Sequence, residues 1–351
     1  MKKLNIIIIV IATVIAWSCS SQQPNQEEEG WSLSAIPSSV RLDPVKNDII
    51  ESRLSTVKSN IKDDKNFLNN NWVYDGSKVK LHGARGEYVS FQLVITNNSS
   101  SELTGINVEM TPFRNENSTF EIAPELFLEW SVEVQTPSTG YPKASLGKGW
   151  YPDALIPIDF IQSDSLKVHG RWVYPFILPD FNNRIENQKS AIIWIDQFIP
   201  TDNHQLKAGQ YTSQIAVNIG DKTQKIPVEL QVWNFDLPNE NLFKASLQQE
   251  GFLSRMSDEK ELKIYQLFKR NRVSLMDPTY EPDLQYSKNG EVTIGWDTFD
   301  KRLGKYLTGA AFTESHGYKY GPGYGEPIET FTLPFDVYGK HETREIGRAH
   351  V

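Results

Sequence analysis

The stretch Lys225-Ile-Pro-Val-Glu-Leu-Gln-Val-Trp-Asn-Phe-Asp-Leu-Pro238 constrains the fold more than any other part of the chain. Its side chains alternate. Val228, Leu230, Val232 and Asn234 point one way; Glu229, Gln231, Trp233 and Phe235 point the other. Period two marks a strand half-buried against a core. Leu237-Pro238 ends it, because proline has no N–H to give to a ladder. Before this stretch the chain reads as strands and turns; after it, strand and helix patterns alternate. It therefore predicts the last strand of an all-β unit and the join to an α/β unit.

The upstream runs agree. Alternating segments cover residues 78–81, 87–95, 106–110, 126–134, 192–198 and 208–219, and Asp221-Lys222 turns the last of them back into the opening stretch. Gly, Pro, Asn and Ser clusters such as residues 97–101 separate them. Many short strands with turn signals predict a β-sandwich. Ile49, Ile50, Leu54, Val57 and Ile61 recur at helical spacing, so a helix is expected over 48–61. Residues 139–157 read as a loop rich in Gly, Pro and aromatics. Trp150 and Tyr151 there suit stacking on sugar rings, but anchoring the loop by their buried area is the favoured reading.

Downstream, residues 243–249 read as a buried strand. Ser257 followed by Asp258 and Glu259 marks a helix start, with Leu262, Tyr265, Leu267 and Phe268 on its apolar face. Residues 273–276 form a second strand. A turn at Lys288-Asn289-Gly290 leads to a short strand through Ile294, and a helix runs over 296–307. Strand, helix, strand, helix is the opening of a parallel β/α structure.

The first residues predict a location. Lys2-Lys3 precede an apolar run at 6–16 that is too short for a stable membrane-spanning helix. Ala16-Trp17-Ser18-Cys19 then resembles a bacterial lipoprotein signal, in which Cys19 is lipidated and becomes the first mature residue. The alternative is a plain secretory signal with an incidental cysteine. A polar tether with Gln26-Glu27-Glu28-Glu29 follows, consistent with surface export or with a simple solvated linker. The expected location is the cell envelope, lipid-anchored in the outer membrane and possible at its surface. Cys19 is the single cysteine, so neither an internal disulfide nor a cysteine metal site is available. The net charge is −8, and losing Lys2 and Lys3 with the signal takes it to −10. That balance argues against nucleic-acid binding. The six histidines are scattered. No metal spacing, glycine-rich phosphate loop or Gly-x-Ser-x-Gly elbow is present, so no metal and no cofactor are implied.

Several motifs in order carry a resemblance: Arg85-Gly-Glu-Tyr-Val-Ser-Phe-Gln92, Gly149-Trp-Tyr-Pro-Asp153, Ala208-Gly-Gln-Tyr211, Val232-Trp-Asn-Phe-Asp-Leu-Pro238 and Trp296-Asp-Thr-Phe-Asp300. Together, over about residues 34–312, the chain resembles the glycoside hydrolase family 123 group and relatives carrying the domain of unknown function 4091. The resemblance implies an N-terminal β-sandwich followed by a (β/α)8 barrel. It implies substrate-assisted, retaining hydrolysis of β-linked N-acetylgalactosamine or related glycosides, in which the acetamido oxygen attacks the anomeric carbon. An adjacent Asp-Glu pair then orients that group and protonates the leaving oxygen. Such enzymes depart from the usual two-carboxylate scheme. The implied partners are a glycan or glycoconjugate and, through the lipid, a membrane.

The catalytic pair is not recognisable here. Asp258-Glu259 is the only adjacent Asp-Glu of the second half. It follows the first strand rather than a middle one, and helix capping explains it. Residues placed where barrel sites form, after strands, are Glu250, Asp277 and Tyr280, with Glu314 and His316 in the next long loop beside Tyr318, Tyr320 and Tyr324. These are the candidate substrate-binding residues. Residues 239–351 are 113 in number, and a whole barrel needs roughly 250. The expected fold is thus multidomain: an all-β sandwich, then a truncated α/β barrel of two or three β/α units. The expected segments are a signal at 1–18, a tether at 19–33, the sandwich at 34–238, the barrel start at 239–345 and a non-native tail at 346–351, with an unstable second part. Two readings compete: the front of a lipoprotein glycoside hydrolase, inactive as this piece, and a non-catalytic carbohydrate-binding cell-surface lipoprotein.

Overall fold

The computed structural model describes residues 30–53, 66–137, 145–162, 166–168, 171–173, 176–183, 185–201, 206–248, 253–276 and 282–331. Cys19 and the tail at 346–351 lie outside them. In chain order the first part contains β1 (Trp31–Pro37), β2 (Val79–Arg85), β3 (Tyr88–Asn97), β4 (Asn107–Met110), β5 (Glu125–Val134) and β6 (Gly149–Pro157). A one-turn helix α1 (Asp159–Gln162) and the hairpin β7 (Leu166–Val168) with β8 (Arg171–Val173) follow. Then come β9 (Ser190–Phe198), β10 (Gly209–Ile219) and β11 (Lys222–Asp236).

These strands make a five-stranded sheet in the order β1-β3-β9-β5-β6 and a four-stranded sheet in the order β2-β11-β10-β4. Both sheets feed one apolar core. Leu93 and Ile193 come from the first; Val217, Val228 and Leu230 come from the second. The expected sandwich is therefore present. Its first strand takes in Trp31, whose side chain is buried, so the described sandwich overlaps the segment expected to be a tether.

Strand β11 follows its alternation closely. Val228, Leu230 and Val232 are fully buried, while Trp233 and Phe235 are about half exposed. Trp233 stacks on Phe235 at 5.8 Å and on His82 at 6.2 Å. β11 pairs antiparallel with β10 through residues 222–232 and parallel with β2.

Two segments in this part differ from expectation where they are described. The segment at 149–157 is a strand paired with β5, not a loop. Its prolines lie in an edge strand, where a missing N–H is tolerated. Trp150 is half-buried, and Tyr151 is buried with its hydroxyl donating to Gly147 O at 2.7 Å. The helix over 48–61 is replaced, as far as residues are described, by a 3-10 turn at Ile50–Arg53. Ile49 packs with Ile36, Val40 and Leu42 over Val94 and Ile192 on the outer face of the large sheet. Arg53 ties the turn down by donating to Asp43 and Asp48, both at 2.6 Å. Leu54, Val57 and Ile61, the rest of that expected helix, lie outside the described residues.

The second part contains β12 (Ala245–Gln248), α2 (Asp258–Arg270), β13 (Val273–Met276), β14 (Asp283–Tyr286), β15 (Val292–Gly295) and α3 (Asp297–Leu307). β12 and β13 are parallel, Ala245 opposite Val273, with α2 as the crossover. β14 and β15 form a separate antiparallel hairpin around the predicted Lys288–Gly290 turn. A second apolar cluster, including Leu253, Tyr265, Leu275, Phe299 and Phe312, is distinct from the sandwich core. Among the described residues the parallel pair does not close into a barrel.

Helix α2 starts as predicted: the Ser257 Oγ accepts from Lys260 N. Its buried face differs from the expected one. Glu261, Tyr265 and Lys269, four apart, are buried, and Leu267 is 56% exposed. Two ion pairs explain this. Arg302 donates to Glu261 at 2.7 Å, and Lys269 donates to Glu329 and to Pro327 O, each at 2.7 Å. Buried charges with partners can occupy a core-facing stripe, and apolar periodicity alone does not register them.

Candidate functional cleft at the join

Pairing places Glu125 (β5) opposite Asp196 (β9), and Asp196 opposite Ser90 (β3). With Tyr88, two residues along β3, they form a polar patch on the outer face of the large sheet. Asp196 is held by the Ser90 hydroxyl and the Trp194 indole N–H, both at 2.6 Å.

The α2–β13 turn delivers two arginines to this region. Arg270 makes a forked contact to Glu125, through Nη1 at 3.0 Å and a shorter one through Nη2. It lies 3.7 Å from Asp196, and its guanidinium stands 4.3 Å over the Tyr88 ring. Burial works against the Arg270 charge, but the hydrogen bond to Glu125 and attraction from Tyr88, Glu125 and Asp196 raise its pKa overall. Arg272 has a left-handed backbone, φ 59°. That turn aims its guanidinium back at the sandwich, where it donates to Pro238 O at 2.9 Å and Gly86 O at 3.0 Å. Gly86 is required there: φ is +87°, and a Cβ would meet Leu237 O at 3.0 Å.

The segment after α3 closes the third side. Tyr318 is buried, donates to Pro322 O at 2.7 Å and meets Phe312 edge-on. Tyr320 stacks on Phe198 of the sandwich at 6.1 Å. Asn239, just past the sandwich exit, donates to Tyr324 O at 3.1 Å and accepts from Gly323 N at 3.0 Å. Between these walls is a cleft of about 530 Å³ whose lining includes Glu125, Lys263, Gln266, Leu267, Arg270 and Tyr318–Tyr320. Burial raises the Tyr88 and Tyr318 phenol pKa values well above the ordinary range.

The predicted candidates do not meet here as one site. Glu250, Asp277 and Tyr280 lie outside the described residues. Glu314 and His316 form an exposed 3-10 turn. The His316 carbonyl accepts from Gln266, one turn before the end of α2, at 2.9 Å. Further on, Glu329 N donates to the Ser274 hydroxyl at the start of β13. Both contacts are to the C-terminal half of α2 and the start of β13, so this segment lies at the N-terminal end of the parallel pair. Glu314 and His316 are therefore at the opposite end from the C-terminal strand ends with which they were grouped. The reading that Asp258-Glu259 caps its helix fits the structure. Both side chains are largely exposed, and a hydrogen bond from Lys263 lowers the Glu259 pKa, the wrong direction for a general acid.

Sequence reasoning missed Tyr88, Glu125, Asp196, Arg270 and Gln266. Tyr88 belongs to the Arg85–Gln92 motif, and that was the one available signal. Among the described residues no group of three His, Cys, Asp or Glu side chains is arranged to hold a metal ion.

No family model matches the chain, and no curated protein matches it in sequence. Among solved structures it is similar to a family 123 glycoside hydrolase from Clostridium perfringens, reported in a study of glycolipid glycan hydrolysis. That likeness has 14% identity and a TM-score of 0.47, and covers 78% of this chain and 45% of that one. The chain thus spans less than half the length of that hydrolase. The CooA pilin subunit of enterotoxigenic Escherichia coli is similar at 11% identity and TM-score 0.22, over 45% of this chain and 90% of the pilin. The C-terminal domain of the Streptococcus agalactiae AgI/II polypeptide BspA is similar at 9% identity and TM-score 0.22, over 57% of this chain and 49% of that one.

Proposed function

We propose that this protein is a glycoside hydrolase in which an accessory β-sandwich precedes a (β/α)8 catalytic barrel, with β12-α2-β13 as the barrel's first unit. One observation carries the reading: β11 leads through Leu237-Pro238 into a parallel β-α-β unit, and Asn239 and Arg272 pin the join. A parallel pair needs a crossover and further strands or helices to cover it. The ordered motifs that resemble family 123 support the chemistry: substrate-assisted, retaining cleavage of β-linked N-acetylgalactosamine or a related glycoside. The Asp-Glu pair is then carried on a strand other than β12 and β13, and Glu250, Asp277 and Tyr280 belong to the loops on the catalytic face. Glu314 and His316 are left out of that face. Anchoring of the protein in the cell envelope through Cys19 belongs to the same proposal.

The test is release of 4-nitrophenol from 4-nitrophenyl N-acetyl-β-D-galactosaminide by the product of the complete gene. Turnover that disappears when the pair is changed to Asn-Gln supports the reading. A folded product that turns over neither this nor other β-N-acetylhexosaminides contradicts it.

A further inference from the structure

The outer face of the four-stranded sheet carries a row of aromatic rings. On β11, Trp233 and Phe235 are 44% and 50% exposed. Their ring centroids are 5.8 Å apart with planes 15° from parallel, and exposed His82 of β2 continues the row, 6.2 Å from Trp233 and 26° from parallel. Parallel rings in full face contact would stand about 3.5–4 Å apart. The wider spacing means offset rings, each with part of a face open. The other side chains of this face are polar: Lys80 on β2, Glu229 and Gln231 on β11, Gln210 and Thr212 on β10. The core does not need the two large rings, because Val228, Leu230 and Val232 on the opposite side of β11 already fill it. Adjacent exposed aromatics on a polar sheet face mark a contact surface.

The neighbouring groups define what would cover the row. Lys78 donates to Glu229 at 2.6 Å, and Lys80 pairs with Asp75 at 2.7 Å. The charges beside the rings are thus neutralised within the protein, and neither an anion nor a cation is favoured. Register sets His82, Gln231 and Gln210 side by side across β2, β11 and β10. Gln231 gives one amide hydrogen to Val232 O at 3.2 Å, and a carboxamide has a second to give. Gln210 is exposed. Open ring faces flanked by uncharged donors and acceptors match a pyranose, which has apolar C–H faces and a rim of hydroxyls. Area argues against a protein partner. About half of two aromatic side chains, each of ~150–250 Å², is far below the ~800 Å² per partner of a stable protein–protein contact.

We propose that the row of His82, Trp233 and Phe235 binds a neutral glycan, with sugar rings stacked on Trp233 and Phe235 and hydroxyls paired with Gln231 and Gln210. The site lies on the four-stranded sheet, whereas Arg270 and Tyr320 pack on the five-stranded one. It belongs to the sandwich and goes beyond the hydrolase reading, on which it does not depend.

The experiment applies the fluorescently labelled full chain to an array of neutral, sialylated and sulfated glycans, followed by calorimetric titration with the best-bound glycan. A neutral glycan is expected to bind. Trp233→Ala is expected to weaken that binding about tenfold, Phe235→Ala to weaken it by about threefold or more, and Trp233→Tyr to retain it within about threefold. Both alanine changes are at exposed positions, and unchanged urea midpoints verify that the variants fold. Binding of no neutral glycan, preference for charged glycans, or alanine variants that fold and bind like the parent overturns the proposal. So does sedimentation showing a dimer that both alanine variants dissociate, which would assign the face to a second copy of the chain. Hydrolysis is measured separately. Loss of the glycan site leaves the hydrolase reading standing, and absence of turnover leaves the glycan site standing.

Discussion

Replacing Arg270 with alanine tests how the two parts of the chain are joined. Arg270 is 21% exposed and Glu125 30% exposed. Fully exposed pairs contribute roughly 0.2–1 kcal/mol, and breaking a fully buried pair by removing one partner costs roughly 3–5 kcal/mol. With a forked contact, a second carboxylate at Asp196 and Tyr88 beneath, a value of about 2 kcal/mol lies between these limits. The variant leaves Glu125 and Asp196 facing each other without a cation, so the loss is expected in the join and in α2, not in the sandwich core. Urea unfolding, followed by limited proteolysis in the 238–245 segment, reads this directly. The α2 region is expected to become cleavable at lower urea, while β9 and β11 remain protected. A double-mutant cycle with Glu125→Gln isolates the pair, with an expected coupling of about 1–2 kcal/mol. Single losses that add to within ~0.3 kcal/mol would show that the fork contributes nothing and refute the reasoning.

Other outcomes follow from the same structure. Glu129 is buried on β5, its Oε2 has no hydrogen-bond partner among the described residues, and burial pushes its pKa up to about 8. Because the folded pKa lies above the unfolded value near 4.5, the folded state holds the proton more tightly. Stability is expected to fall as pH rises from about 4.5 to about 8 and then level off. Glu129→Gln should flatten that slope in urea titrations at pH 5, 6.5 and 8, and a parent protein whose stability rises over this range would contradict the assignment. Gly323 has φ +70°, and a Cβ there would collide with the Lys269 side chain. Gly323→Ala should therefore cost about 2 kcal/mol in thermal unfolding, and an unchanged midpoint would show that the Lys269–Glu329 pair tolerates displacement. Metabolic labelling with radioactive palmitate is expected to mark the protein and to be lost in Cys19→Ala; persistent labelling of the variant would refute anchoring at that residue.

Much of the sandwich was legible because its strands alternate. β3, β9 and β11 bury the residues that period two selects, and the Asp221-Lys222 turn fixes the β10–β11 register. The Ser257 cap and the β12-α2-β13 order were legible for the same local reasons. Edge strand β6 was not, because its glycine, prolines and aromatics carry loop composition while β5 supplies the pairing. The buried face of α2 was not, because Glu261 and Lys269 enter it as charges whose partners, Arg302 and Glu329, lie 41 and 60 residues further on. Distant pairing hid the cleft as well. Glu125, Tyr88, Asp196 and Arg270 come from four elements, and no local pattern brings them together. The end of the fold on which Glu314 and His316 lie depends on where the segment after α3 packs, against Gln266 and Ser274, a question of topology that spacing does not answer.

The measurement closest to the central claim is the stereochemistry of cleavage by the product of the complete gene. Proton NMR of the first product released from 4-nitrophenyl N-acetyl-β-D-galactosaminide is predicted to show the β-anomer, and the corresponding β-galactoside, lacking the acetamido group, is predicted to remain uncleaved. Release of the α-anomer first, or equal cleavage of the galactoside, would contradict substrate-assisted hydrolysis by this protein.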